Sequence, residues 1–145
     1  MILLVRHAKA GSRHRWDGPD RERPLSKPGF QQAEELADLL LPYGPTRVLS
    51  SPYVRCVQTV EPVARKAGVE VEVAPELAEG RSLRSLMKLI DEVDGDVAVL
   101  CSHGDMIPAA LDALGVQWRD RCSKASTWVL SPTAVSDAHY LPPPS

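Results

Sequence analysis

The sequence predicts an α/β fold, a three-layer α/β/α sandwich around a mostly parallel central sheet. Three observations carry this. Short continuous aliphatic runs, Ile2-Leu3-Leu4-Val5 and Val97-Ala98-Val99-Leu100-Cys101, read as strands buried on both faces. Helix-length amphipathic segments separate the strand-like runs. Polar residues of catalytic type follow the runs directly: Arg6-His7, Ser50-Ser51 and Ser102-His103.

In chain order, the first strand is followed by a charged loop, Ser12 to Arg23, that holds Trp16, Gly18 and Pro19. A helix is expected from about Pro28, with Ser26 placed to cap it. Its apolar positions Ala33, Leu36, Ala37, Leu40 and Leu41 recur at helical spacing, and Pro42-Tyr43-Gly44-Pro45 ends it. Arg47 to Ser50 reads as the second strand, and Tyr53 to Lys66 as a helix stopped by Gly68. Val69, Val71 and Val73 alternate with Glu70 and Glu72, the pattern of a half-buried or edge strand. Ser82 to Val93 is a helix with Leu83, Leu86, Leu89 and Ile90 on one face, and Asp96 to Cys101 is a buried strand. A short helix to about Leu114 follows. Thr127 to Leu130 and Val135 to Leu141 then read as a closing antiparallel pair. The end of the chain, 142–145, is expected to fray.

At 145 residues, 43% hydrophobic and 25% charged, the composition is that of one globular domain covering 1–145. A net charge of −2 speaks against a general nucleic-acid or membrane-surface binder, so an anion site must be a local cluster of cations. No apolar stretch reaches membrane-spanning length, and the first strand lacks the features of a secretory leader. Cys56, Cys101 and Cys122 show no metal-ligand spacing and read as reduced thiols of a cytoplasmic protein. No metal or cofactor is expected, and the oligomeric state is open, with a monomer compatible.

In open α/β sheets, ligands bind past the carboxyl ends of the strands. Parallel neighbours would bring His7, His103, Arg6 and Arg55 to one crevice there. Such a set suits a dianionic phosphoryl group, because guanidinium forks bind its oxygens in pairs and an imidazole donates or attacks. Phosphoryl transfer asks the protein for a placed nucleophile and charge neutralisation at the equatorial oxygens.

Arg6-His7 after the first strand, Ser50-Ser51-Pro52 with Arg55 and Thr59, and Ser102-His103-Gly104 together resemble the histidine phosphatase superfamily. Short length, Arg-His-Ala, and Arg23-Pro24-Leu25-Ser26 before Gly29 make the chain most similar to the SixA-like branch. Lys124-Ala125-Ser126-Thr127-Trp128-Val129-Leu130-Ser131 is also similar to the histidine phosphatase domain fused to some Nudix hydrolases. The resemblance implies a phosphoglycerate mutase-like fold and a metal-independent phosphatase working through a phosphohistidine. By it, His7 is the nucleophile, Arg6, Arg55 and His103 line the phosphate pocket, and Glu79 donates the proton to the leaving group. The sequence departs from the common pattern in two places: Ala8 replaces a glycine, and no Trp-Glu-Gly segment follows Glu79.

Each residue also has a plainer reading. Glu76 or Asp105 competes with Glu79 for the acid, and Asp105 reads as a helix N-cap. Gly104 either lets backbone approach a ligand or simply opens a helix. Lys9, Ser12 and Arg13, with His14, Arg15 and Trp16, form either a second phosphate site or a solvated basic loop. His139 reads as structural, and Cys56 and Cys101 as core. The leading substrate is phosphohistidine on a protein, as the SixA-like architecture implies. Small phosphorylated metabolites, nucleotides or polyphosphates are the alternative, and a non-catalytic phosphate-binding module is a second one. A metal phosphoesterase built on His7, His103 and carboxylates is a third. The enzymatic readings require the rings of His7 and His103 to lie within about 10 Å of each other.

Overall fold

The computed structural model describes residues 1–144; Ser145, at the end expected to fray, lies outside the described residues. Its regular elements are β1 (Ile2–Arg6), α1 (Lys27–Leu40), β2 (Arg47–Ser50), α2 (Val54–Ala67), β3 (Val71–Val73), α3 (Leu83–Val93), β4 (Ala98–Ser102), α4 (Met106–Ala113), β5 (Thr127–Leu130) and β6 (His139–Leu141). The six strands form one sheet in the order β3-β2-β4-β1-β5-β6. Its β3-β2-β4-β1 portion is parallel, while β5 pairs antiparallel with β1 and β6 antiparallel with β5. No helix is long and apolar enough to cross a membrane among the described residues.

The aliphatic runs are buried on both faces because strand side chains alternate between two helical layers. Leu3 and Val5 pack with Leu36, Leu40, Val60 and Val63 of α1 and α2. Ile2 and Leu4 pack with Leu86, Ile90, Ile107 and Leu111 of α3 and α4. After β1 the chain turns to the first layer and after the adjacent β4 to the second, so a crevice opens between their carboxyl ends.

Local chemistry sets the helix starts as expected. The Gly29 N–H donates to Ser26 Oγ at 3.2 Å, and the Ser85 N–H donates to Ser82 Oγ at 3.3 Å. Gly29 is obligatory, because a Cβ there would fall 1.9 Å from the Lys9 carbonyl oxygen. The closing strand differs from expectation. Val135–Asp137 is a tight 3₁₀ turn, with the Ala138 N–H bonded to the Val135 carbonyl, and only His139–Leu141 pairs with β5. Pro142 to Pro144 continue beyond it without regular structure.

Candidate active site

The sheet register places the site. Arg6 pairs with Ser102 across β1 and β4, and Ser50 with Cys101 across β2 and β4. The next residues, His7, His103 and Ser51, therefore leave three adjacent strands within one residue of the same level. The ladder extends to them: the His7 N–H donates to the Ser102 carbonyl at 3.1 Å, and the Ser51 N–H to the Cys101 carbonyl at 3.0 Å. The rings of His7 and His103 meet edge-on with centroids 5.5 Å apart, well inside the required limit.

His7 is held through one ring nitrogen. Its Nδ1 lies 2.8 Å from the Ala8 carbonyl oxygen, which accepts only if Nδ1 carries the proton. Nε2 then keeps its lone pair. Burial lowers the His7 pKa to about 3 against the opposing Ala8 bond, and the charges of Arg55, His103 and Arg6 lower it further. The imidazole is thus neutral at physiological pH. A polar clamp fixes its backbone: the Ala8 N–H donates to Thr59 Oγ1 at 2.9 Å, and that hydroxyl donates to the Arg55 carbonyl at 2.6 Å. His103 is anchored from behind, with Nε2 2.8 Å from Ser51 Oγ, while buried Nδ1 has no hydrogen-bond partner and faces Glu79 Oε2 at 3.7 Å.

Two arginines complete the core of the site. Arg6 Nη1 donates to the Cys122 carbonyl at 2.7 Å. Gly104 makes room for this guanidinium, since a Cβ at 104 would come within 2.8 Å of it. Arg55, only 1% exposed, donates Nη1 to the Asp20 carbonyl and Nη2 to Asp20 Oδ2, at 2.9 and 3.2 Å. Its guanidinium carbon lies 4.8 Å from the centroid of the Tyr53 ring, which itself stands edge-on to His103. Glu79 Oε1 approaches Arg55 Nη2 at 3.7 Å.

These groups line a cleft of about 710 Å³. Of the site residues expected from sequence, Arg6, His7, Arg13, Arg55, Glu79, His103 and Gly104 line it. Lys9 and Ser12 do not. The Lys9 carbonyl is used by the Ser26 N–H, and Ser12 opens a turn closed by the Arg15 N–H. Among the competing acids, Glu76 lines a separate hollow with Arg81. Asp105 reaches the cleft, but its Oδ2 accepts the Gly80 N–H at 2.9 Å and makes no cap to its own helix. It braces the segment that carries Glu79. Among the described residues no cluster of three or more His, Cys, Asp and Glu is spaced to hold a metal ion.

Sequence reasoning missed Asp20, Arg23, Tyr53 and Lys124. Asp20 joins three arginines, at 3.0 Å to Arg23, 3.2 Å to Arg55 and 3.8 Å to Arg13. Burial raises its pKa, yet the bonds and charges of Arg23 and Arg55 outweigh burial and hold it below the usual carboxylate range. Lys124 enters the cleft on a turn whose Ala125 has φ +66° and donates its N–H to the carbonyls of Arg6 and His7.

Fold and site together define an α/β protein whose cleft gathers two imidazoles and a set of guanidiniums at the carboxyl ends of its parallel strands. The model of the histidine phosphatase superfamily (branch 1) matches residues 2–81, and the chain belongs to this family, whose class is that of phosphatases. A curated relative named 8-oxo-(d)GTP phosphatase, from Mycolicibacterium smegmatis, is 36% identical over 99% of the chain. The chain spans 48% of that protein's length. The fold matches that of a phosphohistidine phosphatase SixA from Agrobacterium tumefaciens, with TM-score 0.78, 24% identity and coverage of 99% of this chain and 97% of that one. A SixA structure complexed with tungstate matches with TM-score 0.77 at 21% identity, over 99% and 96% of the two chains.

Proposed function

We propose that the cleft hydrolyses phosphate esters or phosphoramidates through a phosphohistidine on His7, without a metal ion. The observation that carries this reading is the Nδ1 bond to the Ala8 carbonyl, which leaves an uncharged nucleophilic Nε2 at the cleft floor. Nε2 attacks phosphorus, a P–N bond forms, and the bond to the leaving oxygen or nitrogen breaks. Arg6, Arg55 and His103 neutralise the equatorial oxygens as charge builds on them. Glu79, beside Arg55 and His103, gives its proton to the leaving atom and then takes one from the water that cleaves the P–N bond.

For the substrate we infer a small phosphorylated molecule. The relative at 36% identity is named for a nucleotide substrate, and the cleft is wider than one phosphoryl group needs. The second reading, phosphohistidine on a protein, rests on the likeness of fold to SixA.

The test is turnover of p-nitrophenyl phosphate with a chelator present. His7→Ala is expected to lose at least about a thousandfold in kcat, and rapid quench into an alkaline denaturant, in which a P–N bond survives, is expected to trap labelled phosphate on the wild type alone. Equal rates for the two proteins, or loss of wild-type turnover in the chelator, would remove this mechanism.

A further inference from the structure

The cleft holds more positive charge than one phosphoryl group uses, and the surplus sits on one wall. On the Arg55 wall the cations are already matched. Arg55 and Arg23 both bond the Asp20 carboxylate, and Glu79 stands beside Arg55. Arg6 and Lys124 line the same cleft and pair with no carboxylate among the described residues; Asp105 also reaches it, but its Oδ2 is taken by the Gly80 N–H. Arg6 bonds a carbonyl and makes no ion pair among the described residues; its buried Nε, like that of Arg55, has no partner. Lys124 makes neither a hydrogen bond nor an ion pair among them. Burial first, then the charges of Arg6, Arg23, Lys9 and Arg13, hold its ammonium below the ordinary lysine pKa. Arg13 is 71% exposed and touches Asp20 only at 3.8 Å.

The position of Lys124 is built into the chain. Ala125, fully buried, takes a left-handed conformation that alanine disfavours. Its N–H bridges the carbonyls of Arg6 and His7 at 3.0 and 3.1 Å, and both the N–H and Oγ of Ser126 close on the Ser123 carbonyl. The turn is strapped to the nucleophile's own backbone, so Lys124 stands at a set place beside the phosphoryl pocket.

We propose that Lys124 and Arg13, with Arg6, form a second anion subsite, and that the substrate ends in a diphosphate ester. This rests on the His7 reading. The terminal phosphoryl lies against His7, and the penultimate phosphate lies on Lys124 and Arg13. His7 Nε2 bonds to the terminal phosphorus while the bond to the bridging oxygen breaks. The electron pair departs on the penultimate phosphate, whose charge the subsite holds. Water then releases inorganic phosphate, leaving a phosphomonoester as the other product. Phosphohistidine carries one phosphoryl group on a neutral ring and has no use for these cations.

The experiment compares ADP with AMP, a pair that differs only in the extra phosphate. Wild type is expected to favour ADP in kcat/KM, and in the Lys124→Met/Arg13→Ala double variant the ADP:AMP ratio is expected to fall about tenfold or more, as for loss of charged hydrogen bonds. Absence of an ADP preference in the wild type, or an unchanged ratio in the variant, overturns the proposal. Calorimetry on the His7→Ala protein separates this from the nucleophile reading. There pyrophosphate is expected to bind about tenfold more tightly than phosphate, and adding Lys124→Met is expected to erase the difference. If that preference is present but the wild type turns nothing over, the subsite stands and the His7 mechanism falls. Turnover with no preference between the two anions sinks the subsite alone.

Discussion

The two walls of the cleft are built on opposite electrostatic plans. On one, Arg55 is locked by Asp20, Glu79 and the Tyr53 ring, and its charge is offset before any ligand arrives. On the other, Arg6 and Lys124 repel each other and neither pairs with a carboxylate among the described residues. A matched cation stabilises the empty fold and is positioned in advance. An unmatched one destabilises the empty fold and is stabilised only by an incoming anion. On the proposed reading the difference divides the work of the site: one wall contributes order, the other affinity.

The largest expected effect tests that division directly. Methionine keeps the aliphatic stem of either arginine and removes the charge. Arg55→Met leaves Asp20 and Glu79 short of a buried partner and is expected to cost about 2 kcal/mol of unfolding free energy, below the full value for a buried pair because Asp20 is 38% exposed. Arg6→Met loses one bond to the Cys122 carbonyl but relieves repulsion on Lys124, and is expected to cost about 1 kcal/mol or less. Denaturant unfolding of both variants supplies the measurement, and equal losses would break the contrast between the walls.

The matched wall was the less legible in sequence, and the reason is distance along the chain. Arg6, His7 and His103 follow aliphatic runs, so the sheet itself projects them to one place, and the runs are recognisable because both of their faces are buried. Arg55 sits within the first turn after Ser51-Pro52 and was equally visible. Its partner Asp20 lies 35 residues earlier, in a loop whose dense charge reads as solvated. Lys124 was hidden for a different reason. It is placed by a left-handed Ala125, where no glycine advertises the turn. Asp105 read as a helix cap because it precedes α4, yet its carboxylate serves Gly80, a contact that only the packing of the two loops creates. The edge strand β3 was read from its alternating valines, whereas the 3₁₀ turn at Val135–Asp137 hid within a run of strand-forming residues.

A smaller effect comes from His7, which lies between the walls and is kept neutral chiefly by its burial. Its folded pKa, about 3, lies below the ordinary value of 6.5. Between those limits the unfolded chain binds a proton that the folded one refuses, so the stability contributed by the neutral ring is complete above about pH 6.5 and falls as pH drops towards 3. The slope is up to about 1.4 kcal/mol per pH unit. Unfolding free energies of wild type and His7→Gln, compared from about pH 5 to 6 where most carboxylates stay ionised, are expected to diverge by that slope. Parallel curves would mean that the imidazole is charged in the folded protein, and both walls would then face a cation rather than the neutral ring that the proposed mechanism needs.

The smallest effect sharpens the comparison at one ammonium group. Lys66, on the outer surface, is raised in pKa first by its bond to Asp38, which lies 2.8 Å away. Lys124 moves the other way, lowered by burial and by four neighbouring cations. Competitive acetylation across pH, read by mass spectrometry, is expected to give Lys124 a lower midpoint than Lys66. Arg6→Met is expected to raise the Lys124 midpoint by withdrawing one of the repelling charges, and pyrophosphate is expected to protect Lys124 from the reagent. Lys66 serves as the internal control, since neither change reaches its partners Asp38 and Glu34. Equal midpoints for the two lysines would show that the second wall is matched by solvent ions as fully as the first is by Asp20, and its preference for an incoming anion would vanish with the repulsion that creates it.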